Sequence, residues 1–141
     1  RAGAVEPLVQ LLVSGDSAGK TQAAGAIWTL AGNADNKIGI ARAGAVQPLV
    51  QLLRTGDALG KTQAAGALTS LAVNGNNKIT IAHAGAVEPL VQLLRTGDDA
   101  GRTQAAGALT TLAVNTETKI EIARAGAVEP LVQLLRTGMV H

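Results

Sequence analysis

The chain repeats itself at a constant offset of 41 residues: Arg1-Ala-Gly-Ala-Val recurs at Arg42, His83 and Arg124, each time running into Pro-Leu-Val-Gln-Leu-Leu. A fixed period of this size without insertions means that one supersecondary unit is stacked on the next, each burying its apolar face against its neighbours. Such a stack offers the surface along its length for function rather than one assembled pocket. The 141 residues hold about three and a half units, near the roughly three that a stack needs.

Composition narrows the chemistry further. Ala, Leu, Val and Gly dominate, Trp28 is the one aromatic residue, and there is no cysteine. Disulfides, thiol nucleophiles and Cys-ligated metal are therefore excluded, and a reducing compartment, cytoplasm or nucleus, is the expectation. The net charge of +2 is dispersed as single Lys and Arg residues, and no aromatics are present to stack on bases, so nucleic-acid binding has no support. Gly, Pro or charge interrupts every apolar stretch before the ~20 residues of a membrane span, and no signal segment opens the sequence. No membrane insertion is expected.

One unit, read over 36–76, contains three helical segments. The spacing predicts a short first helix over 37–43 with Asn36 as its N-cap, matched by Asn77 and Thr118. Ile38-Gly-Ile40-Ala alternates and by itself fits a short strand equally well. Its place in the repeat decides for helix. Gly44, with Gly3, Gly85 and Gly126 at the same register, is expected to end that helix in a left-handed cap. The second helix carries Pro48 in its first turn, an apolar face of Leu49, Val50, Leu52 and Leu53, and Arg54 near its C-terminus. The third opens at Asp57, equivalent to Asp16 and Asp98, and runs to about Val73 with Ala64, Ala67, Leu68, Leu71 and Ala72 on its core face. Gly66, like Gly25 and Gly107, sits inside it at a cost of about 1 kcal/mol against alanine, which close packing of a neighbouring helix or, less readily, a ligand-facing role explains.

Three helices per unit, a glycine-proline entry to the second, and Ala-Ala-Gly-Ala-Leu in the third resemble the armadillo repeat over the whole chain. Ala-Gly-Ala-Val-x-Pro-Leu-Val-x-Leu-Leu after Asn-Lys-Ile looks like armadillo rather than HEAT repeats, with vacuolar armadillo proteins and plant U-box arrays as the nearest in look. Propeller blades of similar length need β-branched and aromatic residues that this sequence lacks. The resemblance implies an all-α, right-handed α-solenoid with three helices per full repeat. The units are then a partial repeat over 1–35 (second and third helices), full repeats over 36–76 and 77–117, and a partial repeat over 118–141 (first and second helices). Thr137-Gly138 would stop the last helix, leaving Met139-Val140-His141 as a tail.

No residues assemble a reaction. His83 lies at a helix end and His141 at the terminus, neither beside a nucleophile, and no metal-ligand spacing occurs. Gly19-Lys20-Thr21 lacks a glycine at the offset that a phosphate loop needs. No enzyme activity, metal or cofactor is expected.

The armadillo resemblance places the third helices on a concave, peptide-binding side. In importin-like members a tryptophan and an asparagine on each third helix clamp the peptide backbone. The tryptophan positions here are Gly25, Gly66 and Gly107, and the asparagine positions are Thr29, Ser70 and Thr111; none matches, so binding of nuclear localisation signals is not implied. What remains is a row of glutamines, Gln22, Gln63 and Gln104, one turn before the glycines, with Trp28 beside the groove as the hot-spot candidate. Lys20, Lys61 and Arg102 form a second row in the first turns, against the helix dipole, which hints at an anionic partner.

Two functions follow. The first is a non-enzymatic scaffold that binds an extended peptide or partner segment along the third-helix groove. The second is a self-assembling array, a homodimer formed through uncovered aliphatics of the last unit, Leu131, Val132, Leu134 and Leu135, each of which forfeits about 1.5–3 kcal/mol if fully exposed.

Overall fold

The computed structural model describes residues 2–136; Arg1 and residues 137–141 lie outside it, and with them the expected stop at Thr137-Gly138, the tail and His141. Ten helices and no strand are found among the described residues: α1 (Ala2–Ser14), α2 (Ser17–Leu30), α3 (Ala34–Arg42), α4 (Val46–Thr55), α5 (Ala58–Leu71), α6 (Gly75–His83), α7 (Val87–Thr96), α8 (Asp99–Leu112), α9 (Thr116–Arg124) and α10 (Val128–Arg136). The short first helices are α3, α6 and α9, so the alternation at Ile38 and Ile40 belongs to a helix. The second helices are α1, α4, α7 and α10, and the third are α2, α5 and α8.

Two capping devices set the boundaries. Asp16, Asp57 and Asp98 stand in extended backbone and accept hydrogen bonds from the N–H groups of Gly19, Gly60 and Gly101 at 2.8, 2.8 and 2.9 Å. Each satisfies one of the orphan donors of a third helix. The first helices start earlier than expected. Their N-caps are Asn33, Asn74 and Asn115, whose side-chain oxygens accept from the N–H groups of Asn36, Asn77 and Thr118 at 3.1, 3.0 and 2.8 Å. The residues expected to cap are thus the third residues of these helices, receiving the cap rather than making it.

Asn36 and Asn77 have another task. The Asn36 side-chain amide donates to the Leu30 carbonyl at 2.9 Å, and the Asn77 amide donates to Leu71 at 3.0 Å and to Lys37 at 3.1 Å. Leu71 closes the preceding third helix, while Lys37 belongs to the preceding repeat. Asn77 is itself buried. It therefore ties two helix ends and two repeats together where water cannot substitute.

The turn between first and second helices is made by glycine in the left-handed region, with φ of +88° at Gly44, +85° at Gly85 and +90° at Gly126. Gly3 does not share this role. It lies inside α1, because no helix precedes it among the described residues from which the chain must turn. The two later turns are also clamped across repeats: Arg54 donates to the Gly85 carbonyl at 3.1 Å and Arg95 to Gly126 at 3.2 Å. A Cβ on Gly126 would collide with the Arg95 guanidinium, so this glycine supplies room as well as backbone freedom. The first unit has Val13 at the equivalent register and lacks the clamp.

The core runs through the stack. Leu49, Val50, Leu52 and Leu53 of α4, and Leu90, Val91, Leu93 and Leu94 of α7, are all buried. They meet the alanine-leucine faces of α5 and α8, including Ala64, Ala67, Leu68, Leu71 and Ala72 as expected. Third helices pack directly on one another, α2 on α5 and α5 on α8. Replacing Asn77 by alanine removes two hydrogen bonds at a buried side chain, so urea unfolding should show a loss of about 2 kcal/mol. Asn36→Ala, which removes one bond at a half-buried site, should cost less than half of that.

Candidate functional site

The third helices α2, α5 and α8 place the ten residues of the expected groove along two seams. On the first seam, between α2 and α5, the two helices interlock. A Cβ built on Gly25 would lie 2.7 Å from the Gln63 side-chain nitrogen, and one built on Gly66 would lie 2.6 Å from Cδ2, Cε2 and Cε3 of Trp28. Each glycine thus makes room for a side chain of the adjacent repeat. Distances this short forbid a methyl group unless the neighbour moves.

This finding changes the reading of Trp28. Its indole is half-buried and packed against the core, with its ring over Gly66, rather than standing beside the groove as a free anchor. Gly66 is buried as a result. No signal within a single repeat could show this, because the pair joins a residue of one unit to a residue of the next, and Thr69 and Thr110 replace the tryptophan in later units.

The second seam, between α5 and α8, is different. Thr69 stands at the register of Trp28, and a Cβ on Gly107 would meet nothing within 4 Å. Gly107 is accordingly half-exposed.

The hydroxyl row is partly committed. Thr29 donates to the Gly25 carbonyl at 3.1 Å and Thr111 to the Gly107 carbonyl at 2.9 Å, each to its own helix, so their oxygens can still accept but their protons are taken. The Ser70 hydroxyl makes no hydrogen bond among the described residues. The glutamine row is uncommitted: Gln22 is exposed, Gln63 and Gln104 are half-buried, and no side-chain amide of the three is hydrogen-bonded within the described chain. In the cation row all three members are half-buried, and the Nε of Arg102 is buried without a partner in the chain.

At the last unit the expected exposure divides. Leu134 is buried, with 1% of its surface accessible, and Leu131 is half-buried, because α10 already lies against α7. Leu134 therefore drops out of the uncovered set. Val132 and Leu135 remain open, at 42% and 70%, joined by Val128 at 60%. Their counterparts Val50, Leu53 and Val46 are at most 3% exposed.

His83 is exposed at the end of α6, and among the described residues no group of three or more His, Cys, Asp and Glu is placed to hold a metal ion. No described helix is long and apolar enough to cross a membrane.

The model of the armadillo/β-catenin-like repeat matches residues 1–32, 33–73 and 76–114. The chain belongs to the armadillo repeat family. Among solved structures, it is similar to an engineered protein at a TM-score of 0.87 and 38% identity, over 94% of this chain and 56% of that one. A computationally designed armadillo repeat protein for modular peptide recognition gives 0.85 and 33%, over 94% and 57%. A designed armadillo repeat protein in complex with the peptide (KR)4 gives 0.86 and 34%, over 95% and 57%. The chain spans less than two thirds of each of these. No curated protein matches the sequence.

The two seams make opposite predictions for one substitution. Gly107→Ala gains helix propensity without a clash and should stabilise the fold by up to about 1 kcal/mol. Gly66→Ala must displace the indole, so the emission of the single tryptophan should shift to the red, with no gain in stability.

Proposed function

We propose that this armadillo array is a non-enzymatic scaffold that binds an extended polar or acidic segment of a partner protein along the face of its third helices. The observation that carries the reading is the row of Gln22, Gln63 and Gln104. Each helix presents one amide with a paired donor and acceptor that no internal hydrogen bond consumes. An extended backbone offers the complementary pair, and helices packed at about 8–10 Å match between two and three residues of extended chain at ~3.3 Å each. The hydroxyls at Thr29, Ser70 and Thr111 add acceptors along the same face. Lys20, Lys61 and Arg102 favour acidic over basic segments.

The two designed relatives, one for modular peptide recognition and one in complex with a peptide, support the general mode of binding. The finer likeness to vacuolar armadillo and plant U-box arrays rests on the Ala-Gly-Ala-Val-x-Pro stretch alone. The cytoplasm or nucleus is the compartment this reading assumes, in keeping with a chain free of cysteine.

A peptide array tests it. Acidic and polar extended peptides should bind, with (KR)4 weaker than its Glu-Ser counterpart. Changing Gln22, Gln63 and Gln104 together to alanine should weaken binding by about tenfold without lowering the melting temperature. Unchanged affinity in that variant removes the groove assignment.

A second reading has its own observation. The uncovered strip of Val128, Val132 and Leu135 is sealed in every internal unit, and pairing with a second copy is one way to bury it. Light scattering at rising concentration should then show a dimer, and Leu135→Glu should return it to monomer. A monomer across two decades of concentration contradicts this reading.

A further inference from the structure

We infer that the α5/α8 seam over Gly107 is a docking site for a planar aromatic side chain of the bound segment. The inference deepens the peptide-groove reading and rests on it. The argument comes from the preceding seam, where the same place is already filled. There an indole, Trp28, lies on Gly66 so closely that a Cβ on the glycine would be 2.6 Å from three of its ring atoms. The backbone surface of a third-helix glycine, flanked by the adjacent third helix, is thus shaped to receive a flat ring, and this molecule demonstrates the fit with its own side chain.

One repeat later the receiving glycine is retained and the ring is not. Gly107 has nothing within 4 Å of a built Cβ and is half-exposed, where Gly66 is buried. Thr69, at the register of Trp28, covers too little. Its hydroxyl donates to the Ala65 carbonyl at 2.7 Å, and that of Thr110 donates to Ala106 at 2.8 Å, so neither edge asks for a polar ligand. A ring entering here buries its face on backbone and small side chains, the setting in which aromatic groups contribute most to a contact. The occupant is a tryptophan or a similar planar residue, carried in the groove between the glutamines that hold the segment's backbone.

Two measurements test the site separately from the groove. Thr69→Trp should fill the space from within the chain, covering Gly107 as Trp28 covers Gly66, and raise the melting temperature by about 4 °C. A lower melting temperature means that the space does not accept a ring and overturns the inference. Calorimetry then compares a blocked Ser-Glu peptide carrying one central Trp with the same peptide carrying Leu. The Trp peptide should bind the parent chain about tenfold tighter, and that preference should vanish in the Thr69→Trp variant. Equal affinities, or a preference that survives the variant, overturn the aromatic site and leave the groove standing. Failure of both peptides to bind overturns both.

Discussion

No repeat of this chain has a core of its own. In the two full repeats the second helix buries five aliphatic side chains and the third helix of the same unit answers with alanines and leucines, while the third helices close the layer against those of the neighbouring units. Burial between neighbours is therefore what every other feature depends on. At α10, which no third helix covers among the described residues, Val132 and Leu135 are open while their counterparts are sealed. At roughly 25 cal/mol per Å² of apolar surface, that single uncovered layer forfeits several kcal/mol relative to an internal one.

Polar contacts refine what burial begins. Asn77 sits inside the layer and spends its amide on two carbonyls of the preceding repeat, Leu71 at the end of α5 and Lys37 in the first turn of α3. Arg54 and Arg95 reach across to the left-handed glycines Gly85 and Gly126. These bonds fix the angle at which one unit meets the next. A face made of one helix per repeat can present a regular row of groups only when that angle is constant, so the caps and clamps bear on the binding surface as well as on stability.

Much of this was legible in the sequence. The 41-residue period established the stack, the aspartate caps opened the third helices where expected, and the apolar spacing picked out the buried face. The first-helix caps lie three residues before Asn36, Asn77 and Thr118 because Asn33, Asn74 and Asn115 carry equivalent capping chemistry, and side-chain type alone does not separate the two registers. The contact between Trp28 and Gly66 was hidden for a deeper reason. Repeat alignment compares equivalent residues, whereas the packing joins non-equivalent ones, and the tryptophan occurs in a single unit. Likewise the burial of Leu134 depends on the packing of α10 against α7 of the preceding repeat, a contact that helical spacing within one unit does not reveal.

If the proposed groove holds the partner, the third-helix face and no other meets it. Amide resonances of the labelled chain, followed while a binding acidic peptide is titrated in, report this directly. Shifts should be confined to α2, α5 and α8, largest around Gln63, Gln104 and Gly107. Shifts centred on the first helices α3, α6 and α9, with the third helices unmoved, contradict it.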